Sequence, residues 1–178
     1  MKMRNRTASV EVERFMHNLI SFYLKESPNC DGTMLEDIWE WSDEDWEFEH
    51  SFIQWLFPTT EESRFNPDAP VLNEELISQW HQDGLLRHNL RISYERWLRF
   101  CGISLVNGEL ILADAKKNVW DGMNHNWWRM TRILKSLSVL GLATEAAELL
   151  HLLKGVRHRV GVDDVTWTYW SEAIQDAR

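Results

Sequence analysis

The chain has 178 residues, a hydrophobic share of 44% and a formal net charge of −9. This length fits a single domain, residues 1–178, which buries about 70% of the unfolded chain's surface and needs no metal or disulfide to support its core. Two cysteines exclude a disulfide-rich secreted scaffold and favour a reducing compartment, the cytoplasm. The acidic balance argues against a nucleic-acid partner, because phosphate binding needs a basic surface.

Three of the first six residues are basic, but the polar residues that follow leave no apolar stretch, so we expect no secretion signal. Nowhere does the chain approach the ~18 consecutive apolar residues of a membrane span.

Apolar residues recur at three- and four-residue spacing from Ser9, which predicts an amphipathic helix that ends near Ser27-Pro28. Thr33 is the predicted N-cap of a short helix through residue 39. Ser42, followed by three carboxylates, predicts the next helix, broken near residue 49 and stopped by Pro58.

The segment 59–70 is rich in polar residues and proline and predicts an ordered loop. Two helices follow, over 73–82 and 85–101, separated by Asp83-Gly84, with Gly102 as the left-handed cap of the second. Asn107-Gly108 between two short apolar runs predicts a two-stranded hairpin.

The remaining chain predicts helices over 124–140, 144–154 and 163–174, with Gly141 and Gly155 as caps. The predicted fold class is therefore mainly α: one compact domain of seven or eight helices with a small β-hairpin near Asn107-Gly108.

Charge is unevenly distributed. Eight carboxylates fall between residues 36 and 49, whereas basic residues dominate between 84 and 135. The two segments either pack together and neutralise each other, or form a surface of both signs that orients a charged partner.

Catalytic signatures are weak. The glycines are scattered, so a phosphate-binding loop is not expected, and neither a nucleophile elbow nor a Cys-x-x-Cys pair occurs. The histidines lack the spacing of a metal site, and we predict neither catalytic residues, nor metal ligands, nor a cofactor. The alternative that stays open is a metal-assisted small-molecule enzyme built around His50 or His81.

Three runs of sequence carry a family resemblance: His-Ser-Phe-Ile-Gln-Trp-Leu-Phe-Pro at 50–58, Phe-Asn-Pro-Asp-Ala-Pro at 65–70, and Thr-Arg-Ile-Leu-Lys-Ser-Leu from 131 with its stop at 140–142. Over about 34–153 the chain resembles the conserved region of the opioid growth factor receptor family, whose founding member is a vertebrate receptor for an enkephalin peptide. The resemblance implies a non-enzymatic, receptor-like module that binds a peptide or protein. We expect a short homologue without the repeat-bearing tail of the vertebrate protein.

Eleven tryptophans, several of them beside charged residues, are more than we expect a domain of this size to bury. Rigid rings next to fixed charges are typical of peptide-binding surfaces. The predicted groove combines such rings with the polar residues near the family runs: Trp41, Trp46, Gln54, Asn66, Asp68, Trp127, Trp128, Arg129, Arg132 and Lys135. The alternative use of the rings is a homo-oligomer interface in a structural subunit.

Overall fold

The computed structural model describes residues 19–64 and 66–174. Its named elements are α1 (Leu35–Glu40), α2 (Asp43–Phe48), α3 (Ile53–Leu56), α4 (Glu74–Gln82), α5 (Gly84–Cys101), β1 (Ile103–Val106), β2 (Glu109–Leu112), α6 (Lys117–Trp120), α7 (His125–Val139), α8 (Ala143–Val156) and α9 (Asp164–Glu172). The predicted mainly α class is confirmed. Of the helix predicted from Ser9, residues 19–23 are helical and residues 9–18 lie outside the described ranges.

Helices α1 and α2 are short and acidic. Ser42 Oγ accepts from the Asp45 N–H at 3.1 Å while Asp45 Oδ2 accepts from the Ser42 N–H at 3.0 Å, a reciprocal capping box that confirms the predicted start of α2. The prediction of Thr33 as the cap of α1 is wrong by one residue, because the cap is Met34. The Thr33 N–H donates instead to Asn29 Oδ1 at 2.9 Å, which keeps Thr33 in the preceding loop.

The predicted hairpin is confirmed, with β1 and β2 antiparallel and Asn107 and Gly108 at φ 52° and 83°, as a type I′ turn requires. Gly102 ends α5 in the left-handed conformation at φ 73°. A Cβ at this position would lie 1.6 Å from the Asp114 carbonyl oxygen, so the return of the hairpin past the helix end requires glycine.

The end of α8 differs from the prediction. Gly155 is not a cap, since the helix continues through it to Val156. Leu153 and Val156 are both buried, so the two additional residues place Val156 in the interior. Helix α6, which the sequence did not predict, is held by its last residue, because the Trp120 indole N–H donates to the Cys101 carbonyl at 2.8 Å.

Helix α7 packs against α8 and α9, while α5 packs against α1, α4 and β1. The interior holds seven of the eleven tryptophans: Trp46, Trp55, Trp80, Trp97, Trp120, Trp127 and Trp170. Most of the tryptophan excess is therefore core, and the only tryptophan with a strongly exposed ring is Trp128, at 58%. In the described ranges we find no helix with the length and hydropathy that crossing a bilayer requires.

Candidate functional site

One face of α7 opens onto a cleft of about 1120 Å³. We call it the α7 cleft. The rest of the lining comes from the segment 50–54, from the loop at residues 59, 61–64, 66 and 68, from residues 30 and 31, and from Tyr169 of α9. Its lining residues are Cys30, Asp31, His50, Ser51, Ile53, Gln54, Thr59, Glu61, Glu62, Ser63, Arg64, Asn66, Asp68, His125, Trp128, Arg129, Thr131, Arg132, Lys135 and Tyr169.

The structure brings seven of the ten predicted groove residues to this one cleft: Gln54, Asn66, Asp68, Trp128, Arg129, Arg132 and Lys135. Their role in binding stays a prediction. The other three, Trp41, Trp46 and Trp127, do not line it.

Trp46 and Trp127 are core residues, which corrects the expectation that their rings are available to a ligand. They are 0% and 1% exposed, and their indole N–H groups donate to the Ile38 and Val119 carbonyls, each at 2.9 Å. Trp41 is half-buried and packs edge-on against Phe52, with ring centroids 5.3 Å apart.

Helical spacing separates the two faces of α7. It could have predicted from the sequence that Trp127 lies on the buried face and Trp128 on the cleft face. Positions 127, 130, 134 and 137 share the buried face, whereas Trp128, Arg132 and Lys135 line the cleft at four- and three-residue intervals. The sequence reasoning weighed each tryptophan by its charged neighbours and did not use this periodicity.

Two side chains of α7, those of Arg132 and Lys135, tie the loop 59–70 to the helix. Arg132 Nη1 donates to the Phe57 carbonyl at 3.2 Å and to Thr59 Oγ1 at 3.3 Å, and Lys135 Nζ lies 2.7 Å from Glu61 Oε1. The loop also closes on itself, because the Leu72 N–H donates to the Thr59 carbonyl at 2.9 Å. These contacts hold the loop against α7.

Arg129 connects α7 to the end of α2. Its Nη1 donates to the Trp46 carbonyl at 2.6 Å and to Asn126 Oδ1 at 3.1 Å, and its Nη2 donates to the Glu49 carbonyl at 2.6 Å. A cation at the C-terminal end of a helix satisfies its last carbonyls and the negative end of its dipole. Burial lowers the pKa of Arg129 to about 10, although the Glu47 carboxylate opposes the shift.

Charges of both signs line the cleft. The acidic residues are Asp31, Glu61, Glu62 and Asp68, and the basic residues are Arg64, Arg129, Arg132 and Lys135. Burial also lowers the pKa of Arg132, while Glu61 acts in the opposite direction. The cleft therefore offers desolvated positive charge on α7 and carboxylates on the loop side.

Outside the cleft, ion pairs support the first alternative for the uneven charge distribution, in which the acidic segment 36–49 packs against basic residues. Arg96 is 4% exposed, and its Nη2 lies 3.0 Å from Asp43 Oδ1 and 2.8 Å from the Trp41 carbonyl. Its guanidinium also stacks 4.7 Å above the Trp46 ring. Lys25 pairs with Glu36 at 2.9 Å.

Sequence reasoning missed His125 and Tyr169, which come from separate segments and carry no motif. The ring of His125 lies 5.2 Å from that of His50, centroid to centroid, and burial together with the Arg129 charge lowers the pKa of His125. Among residues 19–64 and 66–174, no three His, Cys, Asp or Glu side chains are grouped to hold a metal ion. The ring of His81 is instead hydrogen-bonded to the Val139 carbonyl at 2.8 Å.

Comparison with known proteins identifies relatives of this chain. Residues 11–177 match the family described as the opioid growth factor receptor (OGFr) conserved region, a wider span than the 34–153 that the motifs indicated. No solved structure matches.

Among the relatives, the opioid growth factor receptor of Mus musculus is 33% identical over 175 residues, which cover 84% of this chain and 27% of the relative. The opioid growth factor receptor-like protein 1 of Mus musculus is 29% identical over 85% of this chain and 35% of its own length. The Xenopus tropicalis protein of the same name is 34% identical over 68% and 25%. The chain thus spans about a quarter to a third of these relatives, and it belongs to the opioid growth factor receptor conserved-region family.

Proposed function

We propose that this domain is a non-enzymatic, receptor-like module that binds a peptide or a segment of a partner protein in the α7 cleft. The observation that carries the proposal is the cleft itself. Its volume of about 1120 Å³ exceeds the upper end of the roughly 300–1,000 Å³ typical of small-molecule pockets.

Two exposed aromatic rings lie beside the fixed charges. Trp128 is 58% exposed and Tyr169 is 60% exposed, and both line the cleft. Such rings contribute large contact area at a small cost in conformational entropy, and charges of both signs select and orient a polar partner.

The names of the relatives point in the same direction, since the murine receptor is named for opioid growth factor. Because this chain spans only part of that protein, transferring its ligand belongs to the proposal. Opioid growth factor is accordingly one candidate ligand to test.

The cleft favours binding over catalysis. Its thiol, Cys30, belongs to an exposed residue, yet partial desolvation of the sulfur and the adjacent Asp31 raise its pKa, so the nucleophilic thiolate is disfavoured. The two cysteines, Cys30 and Cys101, are both free, and Cys30 is exposed. An exposed thiol supports the cytoplasm as the compartment in which the domain acts.

A peptide selection tests the proposal. Random peptides are selected on the immobilised domain, opioid growth factor is included as a defined ligand, and binding is measured by calorimetry against the wild type and Trp128→Ala. We expect Trp128→Ala to weaken binding roughly tenfold or more, the range for a central aromatic contact. The matched control is Phe48→Ala, because Phe48 is 70% exposed but does not line the cleft. Failure to enrich any peptide, or equal affinity for Trp128→Ala, would contradict the proposal.

A further inference from the structure

Burial lowers the pKa of three arginines in the described part of the chain, Arg96, Arg129 and Arg132, and the partners of these arginines differ. Arg96 has a carboxylate, Asp43, at 3.0 Å. Both terminal nitrogens of Arg129 donate hydrogen bonds, and the acceptors are the Trp46 and Glu49 carbonyls and Asn126 Oδ1. Arg132 donates to the Phe57 carbonyl and to the Thr59 hydroxyl, and within residues 19–64 and 66–174 it forms no ion pair.

The hydrogen bonds of Arg132 use one edge of its guanidinium. Both come from Nη1. The other edge, formed by Nε and Nη2, makes no hydrogen bond to the described residues, and neither nitrogen is sealed from solvent. Two parallel N–H donors on one edge match the two oxygens of a carboxylate.

The nearby carboxylate does not fill this position. Glu61 Oε1 lies 2.7 Å from Lys135 Nζ, so the side chain is held by the lysine one turn further along α7. Glu61 stabilises the charge of Arg132 from a greater distance, yet burial still lowers the pKa of Arg132. A desolvated cation without a direct counter-ion gains from an anion that enters the cleft.

We propose that the Nε–Nη2 edge of Arg132 is the subsite that binds a carboxylate of the peptide partner, beside the Trp128 ring one helical turn earlier. The proposal rests on the proposed function for its ligand. A carboxylate fits better than a phosphate, because Glu61 and Glu62 line the same cleft and repel a dianion more strongly.

Sodium acetate serves as the probe, because it carries the carboxylate and nothing else. In a protein labelled with ¹⁵N, the Nε–H signal of Arg132 is assigned by its loss in Arg132→Lys and followed during titration with acetate. We expect a saturable shift of this signal. The internal control is the Nε–H signal of Arg91. This group already donates to Glu145 Oε1 at 3.0 Å outside the cleft, so we expect its signal not to shift during the titration.

A parallel titration with inorganic phosphate at the same ionic strength separates the two kinds of anion. A saturable response to acetate, stronger than that to phosphate, supports the assignment. A stronger response to phosphate, an equal shift at Arg91, or no response overturns it.

Selected peptides then extend the test. Each carboxylate of a peptide is replaced in turn by its amide, and affinity is measured with the wild type, Arg132→Gln and the control Arg91→Gln. For one carboxylate we expect a loss of roughly tenfold or more with the wild type and with Arg91→Gln, and little loss with Arg132→Gln. If the amide forms bind equally well while Trp128→Ala still weakens binding, the subsite is wrong and peptide binding stands. If acetate binds at Arg132 but no peptide is enriched, the proposed function fails, and Arg132 remains a carboxylate site without a peptide ligand.

Discussion

The guanidinium of Arg129 on α7 donates to the carbonyl of Trp46 in α2 at 2.6 Å and so joins two helices 83 residues apart in sequence. The same side chain donates to the Glu49 carbonyl where α2 has ended, and it stacks 5.4 Å from the Phe52 ring. One buried cation therefore fixes the acidic helix, the segment after it and the inner wall of the α7 cleft.

Replacing Arg129 removes its hydrogen bonds to the Trp46 and Glu49 carbonyls. We expect Arg129→Ala to lower the free energy of unfolding by about 3 kcal/mol, since it leaves buried carbonyls without a donor and opens a gap in the core. Chemical denaturation measures the change. Arg91→Ala is the control, because Arg91 pairs with Glu145 at the surface, where a pair contributes about 0–1 kcal/mol. Equal losses in the two variants would contradict the role of Arg129.

Two glycines with similar φ angles separate backbone strain from steric overlap. Gly102→Ala places its Cβ 1.6 Å from the Asp114 carbonyl oxygen, whereas Gly108→Ala, at φ 83°, meets no atom within 4 Å. We expect Gly108→Ala to cost about 1–2 kcal/mol from the left-handed conformation alone, and Gly102→Ala to cost clearly more, about 3 kcal/mol or above. Thermal unfolding of the two variants gives the comparison, and similar midpoints would show that the strand can move away from the helix end.

His125 predicts a pH dependence of stability. Burial and the Arg129 charge lower its pKa in the folded protein below 6.5, so the unfolded chain binds more protons as the pH falls. The contribution of His125 is therefore complete above pH 6.5 and is lost as the pH falls through the lowered folded value. We expect denaturation series from pH 7.5 to 5 to show a smaller loss of stability in His125→Gln than in the wild type. His151→Gln, an exposed residue of α8, should follow the wild type.

Trp128, the most exposed tryptophan among the described residues, predicts how acrylamide quenches the fluorescence of the domain. Trp128 is 58% exposed, whereas Trp170 is fully buried and donates from its indole N–H to the Trp127 carbonyl at 3.1 Å. We expect acrylamide to quench one accessible fraction in the wild type, and Trp128→Phe to lose most of that fraction. Trp170→Phe should keep it. Unchanged quenching in Trp128→Phe would place the accessible ring elsewhere.

Local sequence signals predicted most of the helices and the hairpin. Several boundaries with a chemical signature were predicted correctly, whereas Thr33 was wrong by one residue. The correct ones are Ser42 with its carboxylates, Asp83 before α5, Gly102 after it and Asn107-Gly108 in the turn. Gly155 failed as a cap, because burial of Val156 extends α8 through it. A glycine has no conformational preference strong enough to override such packing.

The candidate site was predicted in part. Polar residues adjoining the family runs were expected to share a groove if the two helices pack together, and Gln54, Asp68 and Arg132 do line one cleft. The tryptophan assignments were weaker, since Trp46 and Trp127 turned out to be core. Composition measures how many rings a chain has, but not which side of a helix each one occupies.

The sequence by itself determined the family, the mainly α class and the positions at which most elements begin and end, because capping residues, glycines with positive φ and apolar spacing act within a few residues of one another. Only the tertiary structure decided which charges are buried and which rings are exposed. Arg129 and Arg132 acquire their desolvated state from carbonyls about 75 to 80 residues earlier in the chain, and Tyr169 reaches the cleft from α9. Such distant contacts depend on how whole helices pack, and local patterns do not encode that arrangement.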